Sequence, residues 1–235
     1  NNTHVSSPVQ IGTLTNWNLV YSSYYHTLSI KTNGTLWTWG FGYYGMLGLG
    51  DTNHRSSPVQ LGTLTDWKNI SGGRYHSLAI KTDGTLWGWG YNNYGQLGIA
   101  NTSNRSSPVQ IGSLTNWKQI CCGFYFSMAI KTNGTLWSWG NNSYGQLSLG
   151  DNTDRSSPVQ IGTLTNWKLI SCGRYHIVSL KTDGSLWSCG RNLEGRLGIG
   201  DTADRSSPIQ IGTLTNWKSV SSSQYHSIAL KDNLG

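Results

Sequence analysis

The stretch Ser-Ser-Pro-(Val/Ile)-Gln occurs five times in this 235-residue chain, with prolines at Pro8, Pro58, Pro108, Pro158 and Pro208, so the sequence repeats every 50 residues without insertion or deletion. Periods of this length, made of short strand-like runs separated by glycine and asparagine, mark folds whose units cannot bury an apolar face alone and must stack on their neighbours. The predicted class is all-β, a β-propeller of four-stranded blades. A ring of equivalent units presents a broad surface rather than one asymmetric cluster of reactive groups. Binding is therefore favoured over catalysis.

Residues 67–112 show how one repeat makes one blade. Residues 67–71 (WKNIS) read as a first strand broken by Gly72 and Gly73, and in the next run Leu78 and Ile80 alternate against Ser77 and Ala79, the period of a strand. Asp83-Gly84 between two such runs predicts a type I′ hairpin turn, recurring at Asn33-Gly34, Asn133-Gly134 and Asp183-Gly184. In the third strand Trp87 and Trp89 share one side while Leu86 and Gly88 share the other, a size alternation suited to blades packed face to face. Trp39, Trp89 and Trp139 are expected at blade interfaces, with Cys189, which replaces the tryptophan in the fourth copy, leaving its blade less filled. RSSPVQIG (105–112) supplies the outer strand, where proline fits an edge position. Complete blades are expected over 17–62, 67–112, 117–162 and 167–212, with an outer strand in 1–12 and inner strands in 217–231 forming an incomplete blade.

The run GRYHSLAIKTDGTLWGWGYNNYGQLG (Gly73 to Gly98) and the loop LGIGDTADRSSP (Leu197 to Pro208) resemble the regulator of chromosome condensation repeat family, and the likeness runs through the whole chain. The resemblance implies a propeller, usually of seven four-stranded blades closed by strands from both chain ends. It implies no single activity, since the family spans nucleotide exchange on the small GTPase Ran, ultraviolet perception, enzyme inhibition and scaffolding. Leu234 stands where the other copies carry the turn glycine, so the fifth turn is expected to be altered. An open arc exposes sheet edges and blade faces. Further sequence, self-association or an additional chain is expected to close the ring.

Only 11% of the residues are charged, with Glu194 the single glutamate, against about 25% in ordinary soluble domains. The resulting surface of Ser, Thr, Asn and Gly leans toward an extracellular or virion setting. The net charge of +7 reflects scarce acid rather than runs of base, so nucleic acid is not the expected partner. No apolar run approaches 18 residues, which excludes a helical membrane span, and the opening NNTHVSSP carries neither a methionine nor a signal peptide, as in a processed piece. Cys121, Cys122, Cys172 and Cys189 show no metal-binding spacing and no recurring pair, and are expected as reduced, packed thiols.

Several local patterns suggest chemistry and fail on context. Gly40, Gly42 and Gly45 form a GxGxxG, but Met46-Leu47-Gly48 cannot open a helix toward a phosphate, so no dinucleotide is expected. His26, His76, His176 and His226 recur at one blade position with Phe126 in the third copy; equivalent environments and an apolar substitute point to structural histidines bonded to neighbouring backbone, neither catalytic nor metal-binding. The pairs Asp51–Arg55, Asp151–Arg155 and Asp201–Arg205 read as loop braces, and their loops lack the glycine and glutamate of a calcium site. The twelve tryptophans lie mainly in strands rather than in the segments of the ultraviolet receptors, and the strict period leaves no insertion for GTPase exchange. Carboxylates are too few and scattered for glycoside hydrolysis. No catalytic residue, metal or cofactor is expected.

What differs among the copies sorts by face. The connections KT(N/D)GT and IGTLTNWK are nearly constant, whereas the opposite face carries Ser23-Tyr24, Gly73-Arg74, Gly123-Phe124, Gly173-Arg174 and Ser223-Gln224 in one loop and residues 41–44, 91–94, 141–144 and 191–194 in the other. Tyrosine and arginine suit recognition of a protein or glycan. The candidate binding residues are Tyr24, Tyr44, Arg74, Tyr94, Phe124, Tyr144, Arg174 and Arg191. The rival reading is an intracellular regulator of chromatin or of a small GTPase.

Overall fold

The computed structural model describes residues 7, 10–13 and 15–232. The first blade comprises β1 (Trp17–Ser22), β2 (His26–Lys31), β3 (Leu36–Gly40) and β4 (Arg55–Gln60), and the second β5 (Trp67–Gly72), β6 (His76–Lys81), β7 (Leu86–Gly90) and β8 (Arg105–Gln110). The third holds β9 (Trp117–Cys122), β10 (Phe126–Lys131), β11 (Leu136–Gly140) and β12 (Arg155–Gln160), and the fourth β13 (Trp167–Cys172), β14 (His176–Lys181), β15 (Leu186–Gly190) and β16 (Arg205–Gln210). Each is an antiparallel sheet whose spatial order is the chain order. A fifth unit pairs β17 (Trp217–Ser222) with β18 (Ser227–Lys231). Four blades and a partial fifth thus form an arc that this chain does not close. The outer strand expected in 1–12 falls mostly outside the described residues, as does the turn at Leu234.

Strand periodicity explains how the blades stack. Along β2 and its copies, one set of alternate residues points toward the following blade and the other toward the preceding one. Leu28, Ile30, Leu36 and Leu61 of the first blade thus meet Trp67, Ile70, Ala79 and Trp89 of the second. Leu78, Ile80, Leu86 and Ile111 meet Trp117, Ile120, Ala129 and Trp139 in the same way. Because both faces are covered, every residue of β6, β10 and β14 is buried. Alternation here separates two buried faces rather than core from solvent.

Trp89 and Trp139 are completely buried at these interfaces, and each indole N–H donates to the carbonyl of Met46 or Gln96 in the preceding blade, at 3.0 and 2.9 Å. Trp39 is only half-buried, since among the described residues no blade precedes it. Cys189, at the equivalent place in the fourth blade, is also fully buried. The indoles of Trp89 and Trp139 lie where a Cβ on Gly48 or Gly98 would sit 2.9 or 2.8 Å from Nε1. Opposite Cys189 that glycine is replaced by Ser148, which is buried.

The hairpin turn also differs from expectation. Gly34 N–H bonds the Lys31 carbonyl at 2.9 Å and Gly34 alone takes a left-handed φ of 78°, whereas type I′ needs two such residues. The result is a three-residue loop ending in a left-handed glycine. Asn33 spends its side chain on Thr35 instead, accepting from its N–H at 3.2 Å and its hydroxyl at 2.8 Å, a local bond that holds the asparagine in an ordinary conformation. Gly34 is doubly required, because a Cβ would strike the Thr65 carbonyl of the next repeat.

Candidate functional site

Beneath the varied face lies a row of inter-blade hydrogen bonds. His26 Nε2 meets Ser77 Oγ at 2.7 Å, His76 meets Ser127 at 3.0 Å and His176 meets Ser227 at 2.9 Å. The partner is a side chain of the next blade, not the neighbouring backbone that sequence suggests, although Ser77 passes the link on to the Met46 carbonyl. Burial lowers all three histidines to about 3. They are neutral fasteners. The residue before each of these histidines, and before Phe126 and His226 in the other two copies, is a tyrosine in the connection at the varied face: Tyr25, Tyr75, Tyr125, Tyr175 and Tyr225.

These constant tyrosines and the varied loops interlock. Arg74 lies among the rings of Tyr75 (4.9 Å to the centroid), Phe124 (5.3 Å), Tyr24 (5.6 Å), Tyr25 (5.8 Å) and Tyr125 (5.9 Å), donating to the hydroxyls of Tyr125 at 3.0 Å and Tyr25 at 3.4 Å. Arg174 repeats the arrangement against Phe124, Tyr175 and Tyr225. The loops also bond one another directly, Arg74 N–H to the Phe124 carbonyl at 3.3 Å and Phe124 N–H to the Arg174 carbonyl at 3.2 Å. At the axis a cavity of about 250 Å³ is bounded by Tyr24, Arg74, Phe124, Arg174 and Gln224, one from each repeat.

All eight residues singled out from sequence join this one network. Tyr24 packs on Tyr25 and Phe124; Tyr44 on Tyr75 and Tyr91; Tyr94 on Tyr125; Tyr144 on Tyr175; and the Arg191 guanidinium lies 4.8 Å from the Tyr144 ring centre. Their accessibility differs. Tyr24, Tyr44 and Tyr94 are exposed, Arg74, Tyr144, Arg174 and Arg191 half-covered, and Phe124 buried. Phe124 is thus corrected from a contact residue to the hub on which both arginines stack. Comparing copies passes over the five constant tyrosines because they do not vary; the usable signal was a large aromatic in a surface loop beside a buried histidine.

Electrostatics set the character of the face. Burial opposes the Arg74 charge, but the Tyr25 hydrogen bond and the hydroxyls of Tyr125 and Tyr75 more than offset it, so the guanidinium is held protonated. In return the Arg74 hydrogen bond lowers Tyr25, while burial pushes Tyr75 up to about 12. Among the described residues no carboxylate lies within 4.0 Å of Arg74, Arg174 or Arg191, in contrast to the rim pairs Arg55–Asp51 (2.7 Å) and Arg155–Asp151 (2.6 Å). Those rim aspartates also accept backbone N–H groups of Asn53 and Thr153, each at 2.9 Å, as expected of loop braces. All four thiols are free, and Cys121 Sγ accepts the Cys172 N–H at 2.8 Å. No group of three or more metal-ligating side chains occurs among the described residues.

The constant face is built differently. Lys31, Lys81, Lys131 and Lys181 are buried, with Nζ 3.6, 4.5, 3.6 and 3.6 Å from the ring centres of Trp37, Trp87, Trp137 and Trp187. These cations are consumed in packing the turn.

Comparison with known proteins agrees with this architecture. The family model described as "Regulator of chromosome condensation (RCC1) repeat" matches residues 33–80, 83–130, 133–180 and 183–230, and a second model of the same description matches 67–96, 117–146 and 167–196. Comparison with curated proteins gives no match. Among solved structures, human WBSCR16 is similar at 26% identity and a TM-score of 0.82, over 92% of this chain and 58% of that one. Prp20p from Saccharomyces cerevisiae, whose structure was described with its binding properties to Gsp1p and histones, is similar in fold at 20% identity and a TM-score of 0.85, over 97% of this chain and 59% of that one. The chain therefore spans a little under three fifths of the length of either neighbour.

Proposed function

Because the chain belongs to the regulator of chromosome condensation (RCC1) repeat family, whose members bind or regulate other macromolecules, we propose that it is a non-enzymatic binding module that takes a protein partner on its tyrosine and arginine face. The observation that carries this reading is the single network joining eight varied residues to five constant tyrosines, with three arginines that no carboxylate among the described residues neutralises. Exposed tyrosine offers large contact area at low entropic cost, and arginine adds charge-assisted hydrogen bonds; both are enriched in the residues that dominate interfaces. Rigid support from Phe124 and the loop-to-loop hydrogen bonds reduces the ordering cost of binding.

Arg74 and Arg174 brace the face, so the decisive variant leaves them alone. Tyr44→Ala, Tyr94→Ala and Arg191→Ala combined should weaken binding to protein ligands found on an array by about 100-fold, as expected when interface anchors are truncated, with thermal stability nearly unchanged. The control is Lys68→Ala, Lys118→Ala and Lys168→Ala, which alters exposed lysines at the starts of β5, β9 and β13. If only the control set weakens binding, or only glycans are retained, the reading is wrong. Salt-sensitive DNA binding or faster nucleotide release from a small GTPase would support the chromatin or GTPase regulator instead.

A further inference from the structure

The first strands of neighbouring blades are joined by a side chain-to-backbone hydrogen bond that recurs along the arc. Ser71 Oγ accepts the Cys122 N–H at 3.0 Å, Cys121 Sγ accepts the Cys172 N–H at 2.8 Å, and Ser171 Oγ accepts the Ser222 N–H at 2.7 Å. At the two flanking interfaces the donating residue also turns its own side chain back toward its partner. Cys122 Sγ lies 3.6 Å from the Ser71 carbonyl oxygen, and Ser222 Oγ 3.4 Å from that of Ser171. A hydroxyl thus neighbours a thiol at one of these places, and a hydroxyl neighbours a hydroxyl at the other. Among the described residues, only between β9 and β13 do two thiols occupy this pair of positions.

This pair sits directly beneath the varied face. Strands β9 and β13 pack against each other, and both thiols belong to the apolar cluster of that interface. Cys121 is buried, whereas Cys172 is half-buried and forms part of the wall of the axial cavity, so a small reagent entering the cavity meets Cys172 first. A cysteine side chain is short and keeps its sulfur close to its own backbone nitrogen, the atom that Cys121 Sγ already touches. Beyond the thiols, each strand passes through one glycine into a loop of the face, at Gly123-Phe124 and Gly173-Arg174. There the Phe124 N–H meets the Arg174 carbonyl at 3.2 Å, and the Arg174 guanidinium lies 4.8 Å from the Phe124 ring centre.

We propose that Cys121 and Cys172 are a reversible oxidation site, at which a small disulfide converts the two thiols to a bridge that fastens β9 to β13 and fixes the Phe124–Arg174 contact above them. The Cys172 thiolate attacks the S–S bond of the oxidant, giving a mixed disulfide and releasing one small thiol. The Cys121 thiolate then attacks the Cys172 sulfur and expels the second. One protein S–S bond replaces two S–H bonds, and both protons and both electrons leave on the two small thiols. Burial and the neighbouring Cys121 side chain push the Cys172 thiol well above its ordinary range, so the exchange is slow and the pair stays reduced until an oxidant is supplied. The bridge joins residues 51 positions apart, and closing so long a loop stabilises the fold by restricting the unfolded chain.

The test incubates the full 235-residue chain with hydroxyethyl disulfide and then counts thiols after denaturation. The count should fall from four to two, with the mass of two hydrogens lost, and dithiothreitol should restore both. The oxidised chain should melt at a higher temperature, and the amides of Phe124 and Arg174 should exchange more slowly. Cys122→Ser should bridge as the parent does, whereas Cys121→Ser and Cys172→Ser should form no internal bridge. Serine already stands at the first of these positions in Ser71 and Ser171 and at the second in Ser222, so both variants keep a residue that this interface accepts. An unchanged thiol count in the parent, or an internal bridge that persists in Cys121→Ser, overturns the proposal. So does a bridged chain whose Phe124 and Arg174 amides exchange as before.

Discussion

A single position, that of His26, His76, Phe126 and His176, joins burial to a measurable property. These histidines titrate near 6.5 when exposed to water but only near 3 in the folded chain, because burial disfavours the imidazolium. Between those values the unfolded chain binds protons that the folded chain does not, so stability is full above about pH 6.5 and falls as the pH drops toward 3. From pH 7 to pH 5 each histidine should cost about 2 kcal/mol. Phe126 shows that the site accepts a neutral ring. His76→Phe should therefore lose about 2 kcal/mol less than the parent over that interval, measured by urea unfolding at both pH values. An unchanged loss would assign the pH dependence to other groups.

Within the strands, the pair Trp89 and Gly48 is replaced in the fourth blade by Cys189 and Ser148, so the two positions change together across the interface. Cys189→Trp alone drives an indole toward Ser148 and should destabilise the chain by about 1–3 kcal/mol, the usual cost of overpacking. Adding Ser148→Gly recreates the socket of the second and third blades and relieves the left-handed serine, whose φ is 62°. The cycle should show a favourable coupling of about 2 kcal/mol in denaturant midpoints. Strict additivity would mean that the two positions do not share this volume.

Across the whole molecule, stability should follow the number of covered faces. The middle strands β6, β10 and β14 are buried on both sides, while Val20 of β1 and Ile228 of β18 are 56% and 58% exposed. Hydrogen exchange should consequently be slowest in the second and third blades, faster in β1 and fastest in β17 and β18, by at least tenfold between extremes, because local opening there uncovers less apolar surface. Uniform exchange across all strands would show that the arc opens as one unit.

The 50-residue period and the two-residue alternation within it were enough to read the strand identities and their order in each blade. It also separated a constant face from a varied one, and all eight varied residues lie in one network. Tertiary structure decided the rest. The turn type depended on whether Asn33 bonded Thr35 or took a left-handed conformation. The histidine partners lay one blade away, at Ser77 and its copies. Which side chains reach solvent was settled by stacking: Phe124 is covered by arginines from both neighbouring blades, and the repeated lysines are covered by tryptophans. The histidine–serine and arginine–phenylalanine contacts join residues about 50 positions apart and depend on how neighbouring sheets approach, a distance that no single repeat encodes, whereas the lysine–tryptophan contacts lie within one blade.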